Sequence, residues 1–269
     1  MIRKAVVLAR GLGTRMRRPD EAAALDPVQE AAAACGVKAM ISFGRPFLDY
    51  VLSALADAGL AQVCLVIGPE HAAVREHYAV TAPPRRVRVA FAVQPEPRGT
   101  ADAVLAAEEF AGPDDFLAIN SDNLYPVSAL AGLAALSEPG AALFERDALI
   151  AGSNIPAERI AAFAVCEVGP DGYLEAIREK PDAGTLARLG PEAPVSMNCW
   201  RFSSAIFAAC RRVPLSPRGE LELPMAVQAA IAEGVRFKVV RCREGVLDLS
   251  RRADIGAVAE RLRGVVADP

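Results

Sequence analysis

The residue types able to do chemistry gather in a few short runs. Ala9-Arg10-Gly11-Leu12-Gly13-Thr14-Arg15-Met16-Arg17 follows the apolar run Ala5-Val6-Val7-Leu8. Glycine lets backbone N–H groups come close to a phosphate because no Cβ intervenes, and a turn of such groups is an anion-binding concavity. Arg15 and Arg17 add fork-shaped, charge-assisted donors for phosphate oxygens. The same stretch also reads as a strand, a glycine turn and a solvated basic helix start.

Four further runs each carry a similar pair of readings. Gln94-Pro95-Glu96-Pro97-Arg98-Gly99-Thr100-Ala101 joins an amide able to read a base edge to a glycine and a helix N-cap candidate, Thr100; it is equally a stiff strand-to-helix turn. Asn120-Ser121-Asp122-Asn123 places a carboxylate just past an apolar run. Mg²⁺ takes one or two carboxylates plus phosphate oxygens and water, and an Asx turn is the plainer reading. Arg178-Glu179-Lys180-Pro181 offers a carboxylate for hydroxyls and a cation for a phosphate, or simply a charged strand end. Asp248 in Gly245-Val246-Leu247-Asp248-Leu249 is a lone charge in a buried-looking run, which calls for a metal or an arginine such as Arg251 or Arg252. Together these suit attack by a phosphate monoester on a nucleotide α-phosphorus. That reaction needs charge neutralisation and in-line placement more than a base, with Mg²⁺ bridging the reacting phosphates.

The elements that must position these groups alternate. Apolar runs at 4–9, 62–68, 87–93, 115–120 and 141–144 read as strands, and 47–60, 70–79, 100–110 and 126–136 as helices. Such alternation predicts a mostly parallel, doubly wound sheet, with ligands beyond the carboxyl ends of its strands. Residues 18–37 read as a short helix in a mobile loop. In the second half, 161–168 and 173–178 read as a hairpin about Gly169-Pro170-Asp171-Gly172. Strands follow at 195–202, 235–240 and 245–249, and helices at 203–212, 222–233 and 251–264.

Composition limits the alternatives. The chain has 269 residues, 52% of them hydrophobic, and a net charge of −3, so neither a wide nucleic-acid surface nor an anionic-membrane surface is expected. No apolar run approaches the ~20 residues of a membrane span, and the start has no signal-peptide shape. The six cysteines are scattered without a C-x-x-C pair, as expected for buried, reduced thiols in a cytoplasmic protein. His71 and His77, the two histidines, fall on different faces of one helix and make a poor metal pair.

At this point the chain resembles the sugar-1-phosphate nucleotidyltransferases, over nearly its whole length and with the motifs in order. Gly11-Leu12-Gly13-Thr14-Arg15-Met16 is similar to the G-x-G-T-R-[LM] signature that wraps the triphosphate. The resemblance implies nucleotide contacts from Ala9, Gly11, Gly13, Thr14, Gln94, Gly99 and Thr100. It implies catalytic roles for Arg15, Lys38 and Lys180, and sugar contacts from Asn123, Glu179 and Asn198. Asp122 and Asp248 match the metal-binding aspartates, hence Mg²⁺ as the cofactor. The implied fold is a Rossmann-like α/β/α sandwich with a mixed, mostly parallel sheet, a single domain with a nucleotide half (1–145) and a sugar half (146–269). The implied reaction joins an NTP and a sugar 1-phosphate into NDP-sugar and pyrophosphate. Gln94 with Gly99 is the pattern of members that use UTP or dTTP. A homo-oligomer stays open, and no hexapeptide β-helix follows, so a second activity is not expected.

The chain also departs from the family. Arg10 stands where Ala or Gly is usual, Val37-Lys38-Ala39 lacks the prolines of the lysine motif, Asn120-Ser121 replaces the glycine before Asp122, and Cys199-Trp200 follows Asn198. These bear on the sugar and the rate more than on the reaction class. Rival readings are transfer to a non-sugar phosphate such as phosphocholine, and a catalytically silent nucleotide-binding relative. The loop lacks the third glycine of G-x-G-x-x-G, and no acid ends the second strand, which argues against hydride transfer.

Overall fold

The apolar runs become strands, and those at the centre of the sheet are covered on both faces, as parallel strands require. The computed structural model describes residues 1–20, 25–179, 181–190 and 192–269. Its strands are β1 (Lys4–Leu8), β2 (Gln62–Ile67), β3 (Arg88–Val93), β4 (Phe116–Asn120), β5 (Asn123–Leu124), β6 (Gly140–Phe144), β7 (Val165–Val168), β8 (Leu174–Arg178), β9 (Val195–Phe202), β10 (Lys238–Cys242) and β11 (Leu247–Asp248). The main sheet runs β10-β6-β9-β4-β1-β2-β3, with the β7–β8 hairpin joined through β9. β3, β2, β1 and β4 are parallel neighbours. β9 lies antiparallel between β4 and β6, which makes the sheet mixed.

The period-2 pleat sorts each strand between two cores. Ala5, Val7, Leu65 and Ile119 pack under the helix Phe47–Asp57 and its neighbours, while Val6, Leu8, Cys64 and Ala118 pack against helices that include Thr100–Ala106, Ala205–Arg212 and Leu223–Ala232. The result is the expected three-layer sandwich. Trp200 is fully buried in the second core with Phe202 and Phe237. All six cysteines are free; five are buried, and Cys35 is exposed. Among the described residues, no helix is long and apolar enough to cross a membrane.

Several local expectations change. The helix in the 18–37 segment is Pro27–Cys35, opened by a reciprocal Asp26–Gln29 capping box and closed by Gly36 in the left-handed region. Residues 161–168 begin as a helix, Ala157–Ala161, before β7 starts. The strand expected at 235–240 starts at Lys238, because the Val235 N–H closes the preceding helix on Ala230 O. The strand expected at 245–249 shrinks to Leu247–Asp248 and pairs with β5 outside the main sheet. Gly245 there crosses the backbone of Gly152 so closely that a Cβ would lie 2.1 Å from its carbonyl carbon. Helices Arg146–Gly152 and Ala183–Leu189 were not expected; each has seven residues, too few for a periodic signature.

Candidate functional site

β1 is the sheet's turning point. The chain builds outward through β2 and β3, then returns to place β4 on the other side of β1. A crevice opens beyond the carboxyl ends at such a reversal. Here it is a cleft of ≈ 520 Å³, lined by the run from Leu8 to Arg15 together with Lys38, Gln94, Gly99, Thr100 and Asp122. Runs far apart in sequence therefore share one wall.

The glycine loop is held by backbone geometry. Gly13 has φ 62°, and a Cβ on it would stand 2.0 Å from Gly36 O, so only glycine fits where the loop packs on the Pro27–Cys35 helix end. Gly11 has no heavy atom within 4 Å of its Cβ position and leaves its backbone open. Ala9 N–H donates to Val66 O at 2.9 Å, tying the loop to β2. Thr14 opens the short helix Thr14–Arg17, and Arg15 on it is exposed at the cleft rim.

Arg10 does not block the cleft. Its guanidinium folds down over Gly68 at the end of β2, where a Cβ would lie 2.6 Å from it. Nε donates to the Gln94 carbonyl at 3.1 Å, and Nη1 pairs with Glu70. The unusual arginine thus ties the ends of β1, β2 and β3 together. His71 beside it accepts the Gly68 N–H at Nδ1. Burial, opposed by the charge of Glu70, lowers its pKa, so the ring is neutral at pH 7 and bonded to the fold. Among the described residues, no group of three or more His, Cys, Asp and Glu gathers to hold a metal.

Gln94 is 2% exposed. Its Nε2 donates to Gly99 O at 3.1 Å and to Asp102 Oδ2 at 2.7 Å. Thr100 is not the N-cap expected. Gly99 takes that position with φ 121°, and the Thr100 hydroxyl instead accepts the Leu223 N–H at 2.9 Å. The reason is crowding by a neighbouring strand-like segment. Leu221 bonds both Arg98 O and the Ala101 N–H, and a Cβ on Gly99 would lie 2.5 Å from Leu221 O. That segment brings Arg218 and Glu220 to the cleft wall, two residues that sequence reasoning missed. Their only local signal was a charged run between Pro217 and a helix start.

The acidic end of the site has a different character. Lys38, in the single turn Lys38–Met40, donates from Nζ to Asp122 Oδ2 at 2.7 Å. Asp248 accepts from Asn123 Nδ2 at 3.1 Å and from Ser250 Oγ at 2.9 Å. The Asn154 side chain pairs with both backbone groups of Asp248 at 2.8 Å. The arginine that answers Asp248 is neither Arg251 nor Arg252 but Arg159, which also bonds Asp254 at 2.8 Å. Arg252 is engaged elsewhere, donating to Met16 O and Glu30. Burial, and next the charge of Asp122, raises the Asp248 pKa against the pull of Arg159. Asp122 at the cleft wall and Asp248 behind it, close enough for the charge of one to act on the other, are hard oxygen donors of the kind that fit Mg²⁺, with phosphate oxygens and water completing the shell. Lys38 takes only one Asp122 oxygen, whereas Asp248 sits deeper and is bonded through both of its oxygens.

The sugar-assigned residues are only partly assembled. Asn123 is buried, and the Tyr125 hydroxyl links it to β9, donating to Met197 O at 2.6 Å and lying 3.3 Å from Asn123 Oδ1. Burial holds that phenol well above its ordinary pKa, so it remains a donor. Asn198 has φ 57°, the only non-glycine with positive φ among the described residues, at an irregularity in the β6–β9 pairing. Strained backbone of this kind concentrates at functional positions. Glu179 is exposed just beyond β8, near enough to Arg218 to act on its charge. Lys180 lies outside the described residues. Asn123, Glu179, Asn198 and Asp248 are not among the residues that line the cleft.

Comparison with known proteins agrees with this architecture. A family model described as nucleotidyl transferase matches residues 4–249. A UTP–glucose-1-phosphate uridylyltransferase of Haloferax volcanii is 27% identical over 97% of this chain and 96% of its own. A glucose-1-phosphate thymidylyltransferase of Streptomyces griseus is 31% identical over 88% of this chain, which spans 60% of that protein. Among solved structures, a UDP-glucose pyrophosphorylase of Acinetobacter baumanii superposes with a TM-score of 0.75 at 19% identity, covering 100% of this chain and 96% of that one; this likeness speaks for the fold.

Proposed function

Since the chain belongs to the nucleotidyl transferase family, we propose that it condenses an NTP, UTP or dTTP first, with a sugar 1-phosphate, giving an NDP-sugar and pyrophosphate. The observation that carries this reading is the convergence of the glycine loop, Lys38, Gln94 and Asp122 on one cleft at the turning point of the sheet. The uridylyl- and thymidylyltransferase relatives support the choice of sugar phosphate and pyrimidine nucleotide.

In this reading a phosphate oxygen of the sugar 1-phosphate attacks the α-phosphorus. The bond from that phosphorus to the bridging oxygen breaks, and pyrophosphate departs with the electron pair. The nucleophile is already an anion, so placement and charge neutralisation carry the rate. Backbone N–H groups of Gly11, Gly13 and Thr14 cradle the triphosphate, and Arg15 at the rim balances the leaving pyrophosphate. Lys38 serves the α-phosphate and returns to Asp122 between turnovers. Ala9, Gly99 and Thr100 bound the nucleotide. Asn123, Glu179 and Asn198 face the sugar, and Lys180 and Arg218 meet its phosphate. Asp122 and Asp248 would hold Mg²⁺, which when bound neutralises charge on the reacting phosphates.

The test is pyrophosphate release by the purified protein with Mg²⁺, a panel of NTPs, and hexose 1-phosphates beside phosphocholine. Release is expected with UTP or dTTP and a hexose 1-phosphate. Release only with phosphocholine would move the acceptor, and nucleotide binding without release from any pair would leave a silent relative.

A further inference from the structure

We propose that Asp102 is a specificity-positioning residue, which fixes the polarity of the Gln94 amide so that the cleft accepts only bases with a ring N–H. The inference rests on the reading of the cleft as a nucleotide site.

A glutamine amide has two donor hydrogens and one acceptor oxygen, and turning it over exchanges what it offers a ligand. Here both hydrogens are used inside the protein, one on Gly99 O and one on Asp102 Oδ2. Oε1 has no protein donor among the described residues, and Gln94 lines the cleft. A turned amide would aim Oε1 at a carboxylate and a carbonyl, and acceptors facing acceptors in a partly buried place are disfavoured. The main chain beneath it is anchored as well: the Gln94 backbone carbonyl accepts from Arg10 Nε, and its backbone N–H donates to Ile67 O at 2.9 Å.

Gln94 is therefore an acceptor of fixed direction. Uracil and thymine carry a donor N–H at N3 and satisfy it. Cytosine presents a lone pair at the same position and leaves two acceptors opposed. A site built to bond one ring N–H rejects the analogue lacking it far more strongly than shape alone would.

Asp102 also has a plain structural role, in the first turn of the helix Thr100–Ala106 and 3.9 Å from Arg98. An acid there supports a helix start. Loss of that role would lower stability or weaken all nucleotides alike, but would leave their ratio unchanged.

The experiment is calorimetric titration of UTP, dTTP, CTP and ATP into the full chain, wild type and Asp102→Asn. The wild type is expected to favour UTP over CTP by about 100-fold, the mispairing of one buried hydrogen bond. In Asp102→Asn the new side chain offers a turned Oε1 a donor, only the Gly99 carbonyl still opposes the turn, and the ratio narrows to within about tenfold. An unchanged ratio overturns the proposal while leaving the nucleotide site standing. Failure of the wild type to bind any NTP overturns both. N3-methylated UTP tests the same point in the wild type without a substitution. Binding weaker by about 100-fold is expected, and binding within about threefold of UTP would overturn the assignment.

Discussion

Asp122 and Asp248 look alike in sequence and differ in place. Asp122 faces the cleft with one oxygen on Lys38. Asp248 is enclosed by Asn123, Ser250 and Arg159. Asp122→Asn keeps the shape and removes the charge. Its turnover is expected to fall by at least about 100-fold with the melting temperature little changed, and a near-normal rate would refute its role. Arg159→Ala acts on stability instead. It strands Asp248 and Asp254, both below a tenth exposed, and an uncompensated buried charge costs about 3 kcal/mol. The urea midpoint should drop while the slope with urea stays the same. Nothing in the sequence points to Arg159, which lies 89 residues from Asp248 on a five-residue helix.

At the scale of elements, the cleft wall depends on how closely two segments approach. Gly99 meets Leu221 backbone to backbone, and that contact carries Arg218 and Glu220 into the site. Gly99→Ala introduces both a clash and a disallowed φ, at a cost of about 2 kcal/mol. Nucleotide affinity is expected to fall with it, read by thermal shift against UTP; an unperturbed affinity would detach this wall from the site. The glycine, the prolines and the amide of the 94–101 run were legible from their order alone. The partner of Thr100 was not, because a hydroxyl before an alanine-rich run reads as a cap until a second chain segment takes it.

For the whole molecule, β9 is the decisive strand. It comes from the second half of the chain and is inserted between β4 and β6 of the first half. The two halves of the chain therefore share one sheet, and we expect them to unfold as one unit. Trp200, the only tryptophan, sits on β9. Its fluorescence and the far-UV circular dichroism should trace coincident urea transitions, whereas two separated midpoints would divide the chain into domains. Sequence by itself determined the parallel strands from β1 to β4, the glycine loop, and the carboxylates and amide able to serve a phosphate transfer. Each of these is written in local periodicity or in the types and spacing of a few adjacent residues. Tertiary structure alone decided which cation answers each carboxylate, that Arg10 braces the strand ends instead of filling the loop, and that Gln94 offers an oxygen rather than a hydrogen. Those outcomes depend on side chains from distant segments competing for the same few donors and acceptors, and local sequence carries no record of that competition.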